Sequence, residues 1–153
     1  MRKSGMLVAI TAVLMLAGGA ARAAEVEVKL LNKGTQGGVM VFEPSFVKIA
    51  PGDTVKFVAT DKGHNVESIK GMLPDGATAF QGKNGEDTEV KFEQAGVYGV
   101  KCLPHYGMGM VAMIVVGEPG NVDQAKAVPQ VGKAKQVFAT LFEKLEASKT
   151  ASK

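Results

Sequence analysis

Strict alternation marks the first readable segment of the chain. Val26, Val28 and Leu30 take every second position, with Glu25, Glu27 and Lys29 between them. A period of two predicts a strand with one buried face, because successive side chains in a strand point to opposite sides. Further strand-length apolar segments follow at 38–42, 46–50, 54–60, 88–93, 97–102 and 110–116. Turn-forming residues separate them: Asn32-Lys33-Gly34, Pro51-Gly52-Asp53, Asp61-Lys62-Gly63, the stretch 82–85, and Ala95-Gly96. Short strands at this spacing predict an antiparallel β-sandwich. The stretch 68–80, with Pro74-Asp75-Gly76, has no strand pattern and reads as an irregular excursion with room for one helical turn.

The period changes after Glu118-Pro119-Gly120. Asn121 predicts the cap of a short helix over 122–127, and Pro129 and Gly132 then break the chain. Beyond them Phe138, Leu141, Phe142 and Leu145 recur at i, i+3, i+4 and i+7, the stripe of a helix. Packing on the sandwich is the plainest account of that stripe. At the other end, Met1-Arg2-Lys3 precede an apolar run from Met6 to Ala17 and small residues through Ala24. A basic start, a short apolar segment and a small-residue site predict a secretory signal peptide; the run is short for a membrane span. Ala21-Arg22-Ala23 places the cut after Ala23. The expected organisation is a signal peptide over 1–23, a sandwich over 24–118, and a helical extension over 119–153 packed on the same domain.

Composition changes the picture in two ways. The chain has 153 residues, 46% of them hydrophobic and 22% charged, enough for one domain with a true core. It carries 18 basic and 15 acidic side chains. Arg2, Lys3 and Arg22 all lie in the leader, so the mature chain balances 15 against 15. The isoelectric point near 9.0 therefore belongs to the precursor, and nucleic-acid binding loses its support. Cysteine usage is the second change. Exported proteins of this size commonly pair their cysteines, yet Cys102 stands alone. A single thiol in an oxidising compartment is buried and inert, paired between chains, or held by a metal.

The neighbours of Cys102 favour the metal. Cys102-Leu103-Pro104-His105-Tyr106-Gly107-Met108-Gly109-Met110 places a thiolate, an imidazole and a thioether in one loop, spaced C-x2-H-x4-M, between two expected strands. His64 lies upstream in Gly63-His64-Asn65, just after a strand and a turn. Thiolate and thioether favour Cu(I), whereas imidazole serves Cu(I) and Cu(II) alike, so the set suits a metal that cycles. Two imidazoles and a thiolate around copper, with a distant methionine on the axis, make a blue-copper centre. A structural zinc site more typically uses further cysteines or histidines. Pro104 has no N–H to give the Cys102 sulfur, a contact that tunes redox potential. Asn65 is placed to brace the His64 segment against the Cys102 loop. The plain alternatives are a satisfied core histidine and methionine core filler at Met108, Met110 and Met113. The joint spacing of the only cysteine and both histidines weighs against them.

At these residues the chain resembles the cupredoxins, the type 1 blue-copper proteins, and among them the pseudoazurin family. The resemblance runs through Leu31-Asn32-Lys33-Gly34, Met40-Val41-Phe42-Glu43-Pro44, Pro51-Gly52-Asp53-Thr54-Val55, Asp61-Lys62-Gly63-His64-Asn65-Val66-Glu67-Ser68-Ile69-Lys70, the Cys102 loop and the helical tail. Plastocyanins share the loop spacing, but the tail and the Asp61–Lys70 run set this chain apart from them. The resemblance implies a mainly β fold, an eight-stranded Greek-key sandwich with two C-terminal α-helices. It implies one copper ion per chain, Cu(I)/Cu(II), on His64, Cys102, His105 and Met110. It further implies a periplasmic, monomeric one-electron carrier. The donor would be a c-type cytochrome or the quinol-oxidising chain, and the acceptor a nitrite reductase or nitrous oxide reductase. Some relatives carry a histidine where Lys29 stands, so no pH effect of that imidazole transfers here.

The same resemblance directs the electron through the His105 ring edge, with Met40, Pro104 and Met108 as an apolar patch around it. Lys33, Lys62, Lys101 and Lys133 are the candidates to steer an acidic partner. Copper chaperones and stores favour open, exchangeable clusters, so a closed four-ligand set argues against that alternative. An enzyme would need an open metal position or a second site, and no histidine remains for one.

Overall fold

The computed structural model describes residues 22–151, so most of the expected leader lies outside the described residues. In chain order its elements are β1 (Glu25–Lys33), β2 (Val39–Glu43), β3 (Phe46–Ile49), β4 (Asp53–Val58), β5 (Glu67–Ser68), β6 (Thr88–Phe92), β7 (Gly96–Lys101), a 3-10 segment (Leu103–Met108), β8 (Val111–Val116), α1 (Val122–Lys126) and α2 (Ala134–Thr150). The strands form two four-stranded sheets, ordered β2-β1-β4-β6 and β3-β8-β7-β5.

The expected sandwich is present, but its pairing is not purely antiparallel. β1 runs parallel to β4, and β3 parallel to β8. Parallel neighbours need a crossover rather than a hairpin. Here β2 and β3 intervene between β1 and β4, and strand composition carries no record of such direction. The eighth strand, β5, escapes the residue pattern because it is only Glu67–Ser68, paired with Lys101 and Val100. The irregular stretch after it still completes the outer edge of β7. The Ile69 amide donates to the Gly99 carbonyl at 2.8 Å, and the Gly99 amide donates to the Met72 carbonyl at 2.9 Å.

The apolar side chains divide into two layers. Val28, Leu30, Phe42, Val55, Phe57, Phe92, Tyr98 and Val100 fill the space between the sheets, joined by Ala112, Ile114 and Val116 of β8. The alternate β8 residues Val111, Met113 and Val115 face the other way, onto Phe138, Leu141, Phe142 and Leu145 of α2. β8 is buried on both faces, which explains its unbroken apolar run where β1 alternates. Each large side chain so buried is worth about 1.5–3 kcal/mol. α2 therefore forms a third layer on the outer face of the β3-β8-β7-β5 sheet.

One expectation about the tail is corrected. Asn121 stands at the N-cap position of α1 but makes no capping hydrogen bond. It is buried and turned to β7, accepting from the Val97 amide at 2.7 Å and donating to the Val97 carbonyl at 2.9 Å. The two-residue β5 does not reach Val97 of β7. Completing the backbone pairing of Val97 outweighs the cap, because an unpaired buried backbone group costs about 1–3 kcal/mol.

Candidate metal centre

Two segments that are distant in sequence meet at one end of the sandwich. His64 follows the turn after β4, while Cys102 comes directly after β7 and His105 lies in the adjoining 3-10 segment that Pro104 helps to start. His64 Nδ1 is 3.0 Å from His105 Nδ1, and the Cys102 Sγ is 3.7 Å and 3.5 Å from them. A point in the plane of these atoms lies about 2.0 Å from all three, close to ordinary metal–imidazole and metal–thiolate bond lengths. Among the described residues no other cluster of histidine, cysteine and carboxylate side chains has this character. The donor set and its size fit a copper ion.

Hydrogen bonds aim these donors. The Asn32 side-chain oxygen accepts from His64 Nε2 at 2.8 Å, which leaves the lone pair on Nδ1, facing Cys102 and His105. The Asn32 amide is itself tied to Asp61 Oδ2 at 2.7 Å. Asn32 was named in the sequence only as part of a motif; its contact with His64 spans 32 residues and leaves no local signal. Asn65 spans the two segments: its side-chain oxygen accepts from the Leu103 amide at 2.8 Å. The backbone amides of Asn65 and His105 favour the Cys102 thiolate, while the hydrogen bond the His105 amide makes is to the Cys102 carbonyl, at 3.2 Å. Pro104 is exposed beside them and has no such proton to offer.

Burial sets the charge state of the centre. It pushes the Cys102 thiol above its ordinary range; the two amides partly offset this, and the Glu67 carboxylate adds to it. Burial and the facing His105 together hold His64 below the usual imidazole range, against a smaller opposing pull from Asp61. Without a metal, a neutral thiol and a neutral imidazole face each other. A cation that binds here displaces a proton from sulfur.

The three methionines of the loop region go to three different places. Met110 is fully buried in the core layer that also holds Cys102, and its carbonyl accepts from the Cys102 amide at 3.0 Å. Met113 faces α2 on the opposite side of the sheet. Met108 is 47% exposed.

The family comparisons now decide the identity. Residues 28–117 match the model for copper binding proteins of the plastocyanin/azurin family. A pseudoazurin of Methylorubrum extorquens is 57% identical over 109 residues, 71% of this chain and 73% of that one. The chain belongs to the pseudoazurin family. A pseudoazurin of Paracoccus pantotrophus is 47% identical over 131 residues, 85% of this chain and 90% of its own. A solved Sinorhizobium pseudoazurin superposes with a TM-score of 0.79 at 46% identity, covering 80% of this chain and 97% of its own. As a pseudoazurin the chain is a copper electron carrier.

Apolar side chains are exposed beside this centre. Among the described residues the exposed large hydrophobic side chains are Val39, Leu103, Met108 and Val131. Leu103 and Met108 flank His105 in the 3-10 segment. Val39 pairs with Lys33, next to Asn32. Val131 adjoins Gly132, which abuts Gly107. Met40 is half-buried beside Val39, with φ 51, a left-handed conformation that is uncommon outside glycine. Leu103, Val39 and Val131 were not singled out in the sequence, where an exposed hydrophobe looks like a core one.

Lys33, Lys62 and Lys133 are exposed and enter no ion pair among the described residues. Lys101 differs. Its ammonium pairs with Glu67 at 3.3 Å and lies 4.9 Å over the Tyr106 ring, so its charge is already matched within the protein. A groove of about 730 Å³ between α1 and α2 contains none of the donor residues. A sealed metal site requires no cavity.

Proposed function

We propose that the chain is an exported, periplasmic one-electron carrier and not an enzyme, with one copper ion on His64, Cys102, His105 and Met110. The observation that carries this reading is the convergence of one thiolate and two imidazole nitrogens within 3.0–3.7 Å of one another. Copper so bound supplies a one-electron couple, Cu(II)/Cu(I), with an intense thiolate-to-copper absorption.

The protein residues set how that couple is used. Asn32 orients His64, Asn65 ties its segment to the Leu103 amide, and the His105 amide donates to the Cys102 carbonyl, so the donors keep their places in both redox states. Core packing around Cys102 and Met110 excludes water, which keeps substrates from the centre. His105 alone of the four is part-exposed, and it provides the route by which an electron enters and leaves. Leu103, Met108, Pro104 and Met40 form a small dry face there, suited to brief contacts. Lys33, Lys62 and Lys133 would steer an acidic partner onto it. The reading names a c-type cytochrome or quinol-oxidising complex as donor, and a copper nitrite reductase or nitrous oxide reductase as acceptor. It takes the carrier to be monomeric and the leader to be cleaved after Ala23.

A visible-absorption titration of the mature protein with Cu(II), followed by reduction and reoxidation, tests the centre. The expected result is an intense band that saturates at one equivalent and bleaches reversibly. Weak ligand-field absorption alone, or irreversible thiol oxidation, would overturn the ligand assignment.

A further inference from the structure

We propose that the linker between the two C-terminal helices, residues 127–133, positions the segment between His105 and Met110, with Gly132 and Gln130 as the positioning residues. This rests on the ligand assignment made above.

The segment needs outside support. The 3-10 run Leu103–Met108 buries none of its residues, and the backbone of His105 departs from helical geometry at φ −116, ψ 16. A surface turn with no buried side chain has little stability of its own. Its internal bonds are short-range: Gly109 amide to Tyr106 carbonyl at 3.0 Å, and Met110 amide to His105 carbonyl at 3.2 Å. Asn65 fixes only the Leu103 end.

The linker supplies the rest, at three successive points. The Tyr106 hydroxyl donates to the Gln130 side-chain oxygen at 2.5 Å. The Lys133 amide donates to the Gly107 carbonyl at 3.0 Å. Lys133 and Val137 lie against Gly109, with no more than contact distance to spare for a methyl group there. Gln130 is itself held, its amide donating to the Val128 carbonyl at 3.2 Å and meeting the Met72 sulfur at 3.1 Å. Each residue from Tyr106 to Gly109 except the exposed Met108 thus has a partner in the tail.

Gly132 is the sensitive point. It has φ +50, and an added Cβ would overlap the Gly107 carbonyl oxygen. Any side chain at 132 must push that carbonyl away. Gly107 lies midway between the imidazole and thioether donors, so the push is delivered to the spacer that sets their separation. The balance between the equatorial donors and the axial sulfur governs the spectrum and potential of such a centre.

The test compares Gly132→Ala with Phe142→Ala, a large-to-small change further along α2 that costs stability without touching the loop. Gly132→Ala is expected to alter the relative intensities of the visible bands. At a fixed ambient potential it should change the oxidised-to-reduced ratio at least threefold, about 28 mV for a one-electron couple. In the metal-free protein, amide exchange at Gly109 and Met110 should quicken at least tenfold. Phe142→Ala should lower the melting temperature and leave the bands and potential in place. If Gly132→Ala does not fold, Gln130→Ala carries the same test with a smaller change. Parental bands, potential and exchange in the loop variant overturn the proposal, as does an equal shift in Phe142→Ala. A parent protein with no charge-transfer band would instead defeat the ligand assignment, and the amide-exchange arm alone would then decide the positioning role.

Discussion

The two sides of the metal centre are built differently. On the inner side His64, Cys102 and Met110 are fully buried, attached to or flanking sheet strands, and tied by Asn32 and Asn65. On the outer side the 3-10 segment carries His105, half-exposed, between Leu103 at 53% and Met108 at 47% exposure. The difference separates two tasks. On the ligand assignment proposed above, the inner side would supply three of the four donors and exclude water, which bears on the energy of the electron. The outer side would present the proposed docking face, which bears on how fast the electron moves. On the proposed reading, an exposed side chain of the outer face can change with the partner as long as the segment's backbone, and with it His105, stays in place.

The largest effect expected is at the inner side. Cys102→Ser should abolish the intense visible band and the redox couple outright, because the soft donor is lost; absorption and voltammetry check it. Retention of a charge-transfer band would show that the sulfur is not the donor. Asn32→Ala should weaken metal binding by about 10–100-fold, the usual cost of removing the partner of a ligating histidine. Competition against a chelator of known affinity measures this.

Met108→Lys addresses the outer side. Electron transfer to a redox partner should slow by at least about tenfold, as a buried interface charge is costly, while the potential stays at the parental value. A potential that moved as much as in an inner-side variant would erase the distinction between the sides. A smaller effect concerns protonation in the metal-free protein. The folded state holds His64 below its unfolded pKa, so below about pH 6.5 the unfolded chain binds more protons and stability falls with falling pH. Above that pH this contribution is flat until the thiol titrates. Because Cys102 is held above its unfolded pKa, stability then falls again as pH rises through the ordinary thiol range. Melting temperature against pH should therefore show a plateau with two falling limbs, and His64→Gln should remove the acid limb. The smallest effect is salt-dependent steering. Lys62→Gln should reduce the association rate with an acidic partner a few-fold at low ionic strength and hardly at all at high salt. Lys101→Gln should do less, since Glu67 already neutralises that charge.

Much of this molecule was legible in the one-dimensional pattern. The alternation of β1, the apolar run of β8 and the stripe of α2 declare their elements because side-chain burial repeats with a local period. The donor loop is legible for a related reason: Cys102, His105 and Met110 lie within nine residues, and their chemistry is in their identities. Even there, spacing did not say what surrounds each methionine: Met110 lies in the core layer with Cys102, and Met113 in the layer under α2.

What the tertiary structure alone decided is everything that joins residues far apart in the chain. The parallel pairing of β1 with β4, the turn of Asn121 to the edge of β7, and the bond from Asn32 to His64 have no local period to announce them. Nor does composition distinguish Lys101, matched by Glu67, from the free Lys62, or the exposed Leu103 from a core leucine. Residue type sets what a side chain can do, and short-range spacing sets the element that carries it. Which partner it meets depends on how the whole chain closes on itself, a property of all the contacts together and of no single segment.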